Sequence, residues 1–164
     1  MRKLTITILT SLLMTACASI DCPVNNLVET MYALQKSDGT PDTLLKDTLW
    51  VWAERIDGTS ILLINRLCGA KATQFKIPVS YAQTEDIICL DTQNDEGMSW
   101  EDTIWVTKDN RPHFEGVDCK ASYFHTIKSV RSTHDLIDTV IINNTEVNYD
   151  ASKAHFLLRL KDRR

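Results

Sequence analysis

Thr48-Leu49-Trp50-Val51-Trp52-Ala53-Glu54-Arg55, then Asp57-Gly58, then Ile61-Leu62-Leu63-Ile64-Asn65-Arg66-Leu67, is the stretch on which the fold turns. Leu49, Val51 and Ala53 fall on one phase of a two-residue period, with Trp50 and Trp52 on the other. That is the pattern of a strand with two distinct faces. An Asp-Gly pair between two such runs is a hairpin signal, because these residues accept the positive φ of a tight turn.

The same period recurs on both sides of this hairpin. Strands are expected at Leu27–Gln35, Phe75–Val79, Asp86–Leu90, Thr103–Thr107, Ser122–Ser129, Leu136–Asn143 and His155–Leu160. All five glycines fall between these runs, where turns belong. Pro78 suits an edge strand, since proline cannot donate to a ladder. Asp91 to Asp102 reads as an acidic loop. Eight or nine short strands predict an all-β fold, an antiparallel β-sandwich, with an immunoglobulin-like arrangement as one option. A helix at Leu27–Gln35 or Asp150–Leu160 is the competing reading of those two segments.

The chain has 164 residues, 43% hydrophobic and 24% charged, which fits one domain and neither a disordered tail nor a polytopic membrane protein. Its 18 Lys and Arg against 22 Asp and Glu give a net charge of −4. With no basic cluster, the electrostatic footprint of a nucleic-acid binder is missing.

The first seventeen residues address the protein. Arg2 and Lys3 precede an apolar run from Leu4 to Met14, too short to span a bilayer as a helix. Met14-Thr15-Ala16-Cys17 closes it and resembles a bacterial lipobox, in which the cysteine is acylated and becomes the new N-terminus. The alternative is an ordinary secretory signal cleaved near Ala16. The expected organisation is a lipoprotein signal peptide at 1–16, a short tether at 17–26 and a single β-sandwich domain at 27–164. Two or more acyl chains on Cys17 suffice for stable anchoring. Ala18 after the cysteine, rather than Asp, favours by analogy an outer-membrane lipoprotein facing the periplasm.

Four further cysteines, Cys22, Cys68, Cys89 and Cys119, suggest two disulfides in an exported domain, with three possible connectivities. The pairing expected is Cys22–Cys119 and Cys68–Cys89. Free thiols are the next reading. A zinc site would show close ligand pairs, and no CxxC occurs. With Cys22 bridged, the tether to Cys17 reaches less than about 20 Å.

Phe114-Glu115-Gly116-Val117-Asp118-Cys119, Ser122-Tyr123-Phe124, the run Thr133-His134-Asp135-Leu136-Ile137-Asp138-Thr139-Val140 and the closing Val147-Asn148-Tyr149-Asp150 resemble an uncharacterised family of small Bacteroidales-type lipoproteins. The resemblance implies an exported, lipid-anchored β domain and no known activity. Within such a lineage, Asp-Thr before an aliphatic residue resembles a periplasmic O-glycosylation acceptor. The candidate acceptors are Thr43, Thr48, Thr103 and Thr139, with Thr43 in a polar loop. The same pairs also commonly open strands.

Catalytic signatures are weak. GxSxG, HExxH, a P-loop and GxGxxG are all missing from the sequence. Aligning Gly97 to an EF-hand loop places Thr92 and Thr103 where acids are required. His113, His125 and His134 have no metal-ligand spacing, and Cys119 with His134 is a nucleophile–base pair only if the cysteine is unbridged. No catalytic residue, metal or cofactor is assigned. Trp50, Trp52, Trp100 and Trp105 are core by default, or a sugar-stacking platform if exposed. The function expected is a non-catalytic, membrane-tethered interaction or accessory module with an envelope protein as partner. The alternative is a β-sandwich that binds glycans or small solutes.

Overall fold

The computed structural model describes Cys22 and residues 27–161. The leader and Cys17 lie outside the described residues. Ten strands follow in order: β1 Glu29–Leu34, β2 Leu44–Glu54, β3 Ser60–Gly69, β4 Gln74–Pro78, β5 Glu85–Asn94, β6 Ser99–His113, β7 Ser122–Ser132, β8 Ile137–Ile142, β9 Glu146–Val147 and β10 Phe156–Leu160. They form a four-stranded sheet, β4-β1-β10-β8, and a six-stranded sheet, β3-β2-β5-β6-β7-β9. Both segments for which a helix competed, now β1 and β10, are strands.

One apolar layer joins the two sheets. Tyr32, Leu34, Phe75, Ile77, Ile137, Phe156 and Leu158 from the smaller sheet meet Leu49, Val51, Ile88, Leu90, Ile104, Val106, Ile127 and Val147 from the larger. The Tyr32 ring stacks between Phe75 and Phe156, at 5.0 and 4.7 Å between centroids. Burying aliphatic side chains of this kind stabilises by roughly 1.5–3 kcal/mol each, which is why the two-residue period decided the architecture.

The Asp57-Gly58 hairpin forms as expected. Gly58 has φ +79°, and Asp57 Oδ1 accepts from the Thr59 amide at 2.9 Å. The acidic loop shrinks: Asp91 to Asn94 belongs to β5 and Ser99 to Asp102 to β6. Asp91 and Glu101 are paired across the strands and face outward, so acidity here marks a solvated strand face rather than a loop.

The immunoglobulin arrangement is not adopted. That fold divides its strands ABED and CFG, whereas here β5, β6 and β7 run as an uninterrupted meander. The pairing is also not wholly antiparallel, because β1 and β10 run parallel, Tyr32 opposite Phe156.

Candidate functional site

The solvent face of the six-stranded sheet carries three of the four tryptophans. Trp50 and Trp52 occupy alternate positions of β2, and Trp105 lies two strands away on β6. Registers fix the rows: Leu62, Trp52, Cys89 and Thr103 lie side by side, Trp50 neighbours Asp91 and Glu101, and Ile87 separates β2 from Trp105. Trp50 and Trp52 are therefore about 7 Å apart along one strand, and Trp105 is about 10 Å across two strand spacings. All three are half-buried rather than in the core. Trp100, paired with the buried Thr92, has the opposite phase.

Polar groups hold this face in place. The Trp52 indole Nε1 donates to Asp91 Oδ2 at 3.1 Å, fixing the ring. The Arg131 guanidinium sits 4.0 Å from the centre of the Trp105 ring, a cation–π contact, and also donates to Glu85 at 3.3 Å. Burial pushes the Cys89 thiol up; the Thr103 hydroxyl pulls it the other way, and Glu54, Asp91 and Glu101 add to the rise. Those three carboxylates therefore surround one point on the face. The arrangement offers two adjacent indoles, several hydrogen-bond acceptors and a negative field. It suits a neutral polyhydroxylated ligand and repels a polyanion.

The opposite face of the same sheet hides charges that sequence reasoning missed. Lys108, 2% exposed, donates from Nζ to Gln83 O at 2.7 Å and to Asp86 Oδ1 at 2.8 Å. Burial pushes the Asp86 carboxyl up, and Lys108 offsets part of that rise. Beside them His125 Nδ1 donates to Asn110 Oδ1 at 2.7 Å. Burial, with the Lys108 ammonium adding to it, holds His125 down to about 4, so the ring is neutral at pH 7. At the other end of β6, Asp102 accepts from the amides of Asp135 (3.1 Å), Leu136 (2.6 Å) and Ile137 (2.6 Å) and from the Thr133 hydroxyl. The signal was present: Asp102, Ile104, Val106 and Lys108 share one phase of the alternation, so the two charges were bound to point inward.

The cysteines divide unevenly. Cys22 and Cys119 are bridged, with Cα atoms 5.5 Å apart. Neither belongs to a strand, so the bridge pins the segment before β1 to the β6–β7 loop. The expected Cys68–Cys89 bridge is absent; both are free thiols. Cys68 lies opposite Thr48 and Cys89 opposite Trp52, on the two flanks of β2. That separates them by about 13 Å along the strands and about 10 Å across, where a disulfide needs Cα atoms within roughly 7 Å.

The remaining candidates do not converge. Cys119 is bridged and offers no thiolate to His134, whose Nδ1 lies 3.2 Å from Ile137 O. His113 stacks on Phe124 at 4.2 Å. Among the described residues no three His, Cys, Asp or Glu side chains gather as metal ligands. Thr43 precedes β2 and its amide donates to Asp42 at 2.8 Å; Thr48, Thr103 and Thr139 are half-buried within strands. The aspartate of the Asp102-Thr103 pair is buried and fully engaged, which makes that pair a structural element.

Residues 48–159 match a family of unknown function, DUF6452, and the chain belongs to that family. No curated protein and no solved structure matches it.

Proposed function

We propose that this DUF6452 protein is a non-catalytic binding module whose tryptophan face takes carbohydrate. The observation that carries the reading is the pair Trp50 and Trp52, half-buried side by side on the solvent face with Asp91 holding one ring. Stacking on an aromatic face supplies the affinity, and Asp91 and Glu101 accept from sugar hydroxyls. The carboxylates of Asp91 and Glu101 on this face oppose the phosphates of a nucleic acid. A protein partner in the envelope is the second reading, favoured by Leu62, 36% exposed and directly beside Trp52.

The leader supports a location for this binding. Acylation of Cys17 would anchor the chain in the outer membrane, facing the periplasm, and the Cys22 bridge keeps the tether within about 20 Å of the lipid. Intact-mass measurement of membrane-extracted protein tests the anchor: a diacyl or triacyl mass on Cys17 supports it, and an unlipidated mass removes it. Hexose-scale additions in the same spectrum would show attached glycan, with Thr43, which precedes β2, as the first acceptor to test by Thr43→Ala.

The binding itself is read by tryptophan fluorescence against a panel of neutral oligosaccharides. Saturable quenching is expected, weakened about tenfold by either Trp50→Ala or Trp52→Ala. A panel that leaves the emission unchanged, or binding indifferent to both substitutions, would overturn the carbohydrate reading and leave the protein-partner one.

A further inference from the structure

Phe114 and Val117 stand on the loop between β6 and β7, 62% and 94% exposed. A tight turn holds the tip outward. The Cys119 amide donates to Gly116 O at 3.2 Å, which puts Val117 and Asp118 at the corner of the turn. Rings brace the base of the loop: His113 stacks on Phe124 at 4.2 Å, and Tyr149 meets both edge-on. Tyr81 joins the same end of the sheet. Asn110 Nδ2 donates to its carbonyl at 3.0 Å, and its ring, 65% exposed, stacks on Tyr123 at 5.0 Å. A single exposed apolar residue needs no explanation. Here two lie within four positions of one turn, with an exposed amphipathic ring behind them.

The disulfide decides what this end faces. Cys119 closes the turn and is bonded to Cys22, which follows Cys17 by five positions. With the anchor proposed above, the acyl chains on Cys17 lie within about 20 Å of that bridge. A tether this short gives the loop an effective concentration at the lipid in the millimolar range. Contacts too weak to hold a free protein on a membrane then persist. The far end of the sheet supplies the contrast. Leu45 and Met98 are exposed too, but they lie where β5 turns into β6, and β6 alone is about 50 Å long.

We infer that the tip of the β6–β7 loop rests in the lipid interface, with Phe114 and Val117 entering it and Tyr81 at headgroup level, where amphipathic rings settle. The contact rests on the Cys17 anchor. Charge sets its kind: from Phe114 to Lys120 the loop carries Glu115, Asp118 and Lys120, and Glu115 lies 3.2 Å from His113 Nε2. There is no cationic excess to draw the loop to anionic headgroups, so the contact is apolar. Held by acyl chains and loop together, the sandwich stands with its β5–β6 turn away from the bilayer.

The test is methyl NMR of the acylated full chain in phosphatidylcholine bicelles doped with a lipid spin-labelled near its headgroup. Intact mass of the same sample establishes the acyl chains first. A tip lying about 5–10 Å into the interface comes within reach of the label, so the Val117 methyl signals should lose at least about threefold in height. Those of Leu45 and Met98 should keep theirs. Phe114→Asp, an exposed change, should restore at least about half of the lost Val117 signal, with Phe114→Ser as the milder variant. High salt should leave the broadening unchanged, because an apolar contact is not screened. Acylated protein whose Val117 is broadened no more than Leu45 and Met98 would overturn the loop contact and leave the anchor standing. A chain without acyl mass would remove anchor and contact together. Broadening lost in salt would overturn the apolar contact in favour of a charged one, and broadening centred on Leu62 would put the tryptophan face against the lipid instead.

Discussion

Asp102 and Lys108 sit on the same face of the same strand, six residues apart, and both are buried, yet the fold treats them differently. Asp102 is surrounded by donors that do not titrate: three backbone amides and a hydroxyl from the turn that carries the chain from β7 to β8. It is a clasp between the sheets. Lys108 is held by a side-chain carboxylate at the edge of an open cleft, with a histidine kept neutral beside it. One buried charge is built into the backbone, and the other belongs to a network that pH can reach. Position in a strand decides that a charge is buried; the group that meets it decides whether it can respond.

The contrast is best attacked at its stronger end. Asp102→Ala leaves three amides without an acceptor around Leu136 and Ile137, both 0% exposed. Stability to urea should fall by about 4 kcal/mol, and Asp102→Asn, which keeps one acceptor oxygen, should recover roughly half. Next, Lys108→Met strands the Asp86 carboxylate and should cost about 3 kcal/mol at pH 7. The double variant Lys108→Met with Asp86→Leu should regain most of it, since apolar replacement of a buried pair is often neutral. A double variant as unstable as the single would assign the loss to packing and erase the contrast.

The histidine supplies a smaller effect with a definite sign. His125 is held at about 4, below its ordinary 6.5, so the folded state prefers the neutral ring. Its contribution is complete above pH 6.5 and is lost as pH falls toward and through 4. About 2 kcal/mol should disappear across that window after allowance for solvent screening, and His125→Gln should flatten the profile. Burial also lowers His155, whose Nδ1 accepts from the Met31 amide at 2.9 Å, so some slope should survive in that variant. The smallest effect calibrates the scale: Cys68→Ser, an exposed change far from either charge, should move stability by less than about 0.5 kcal/mol. In the native protein, alkylation should reach Cys68 faster than the half-buried Cys89.

Much of this is legible from a period of two. Every expected strand lies on an observed one, because one buried face leaves its mark on alternate residues. β9 escapes because two residues, Glu146 and Val147, carry no period. Strand order escapes for a different reason: nothing local to β1 says that its neighbour will be β10, more than a hundred residues on. The bridge between Cys68 and Cys89 fails on the same ground, since counting cysteines does not reveal that β2 runs between them. Composition makes the tryptophans core, although Trp50 and Trp52 already stand on the phase opposite Leu49 and Val51. Charges obey the same phase as aliphatic residues, and by that rule Asp102 and Lys108 belong inside.

The parallel neighbours β1 and β10 give the molecule a mechanical character. Because they run in the same direction, Glu29 begins one strand at the end opposite to where Leu160 closes the other. Tension applied between those two points pulls the strands past each other lengthwise. Every hydrogen bond of the pair then carries load at once, where an antiparallel hairpin pulled at its open end would unzip rung by rung. Loaded between Glu29 and Leu160, inside the Cys22–Cys119 bridge, the pair would resist as a lap joint does, in shear.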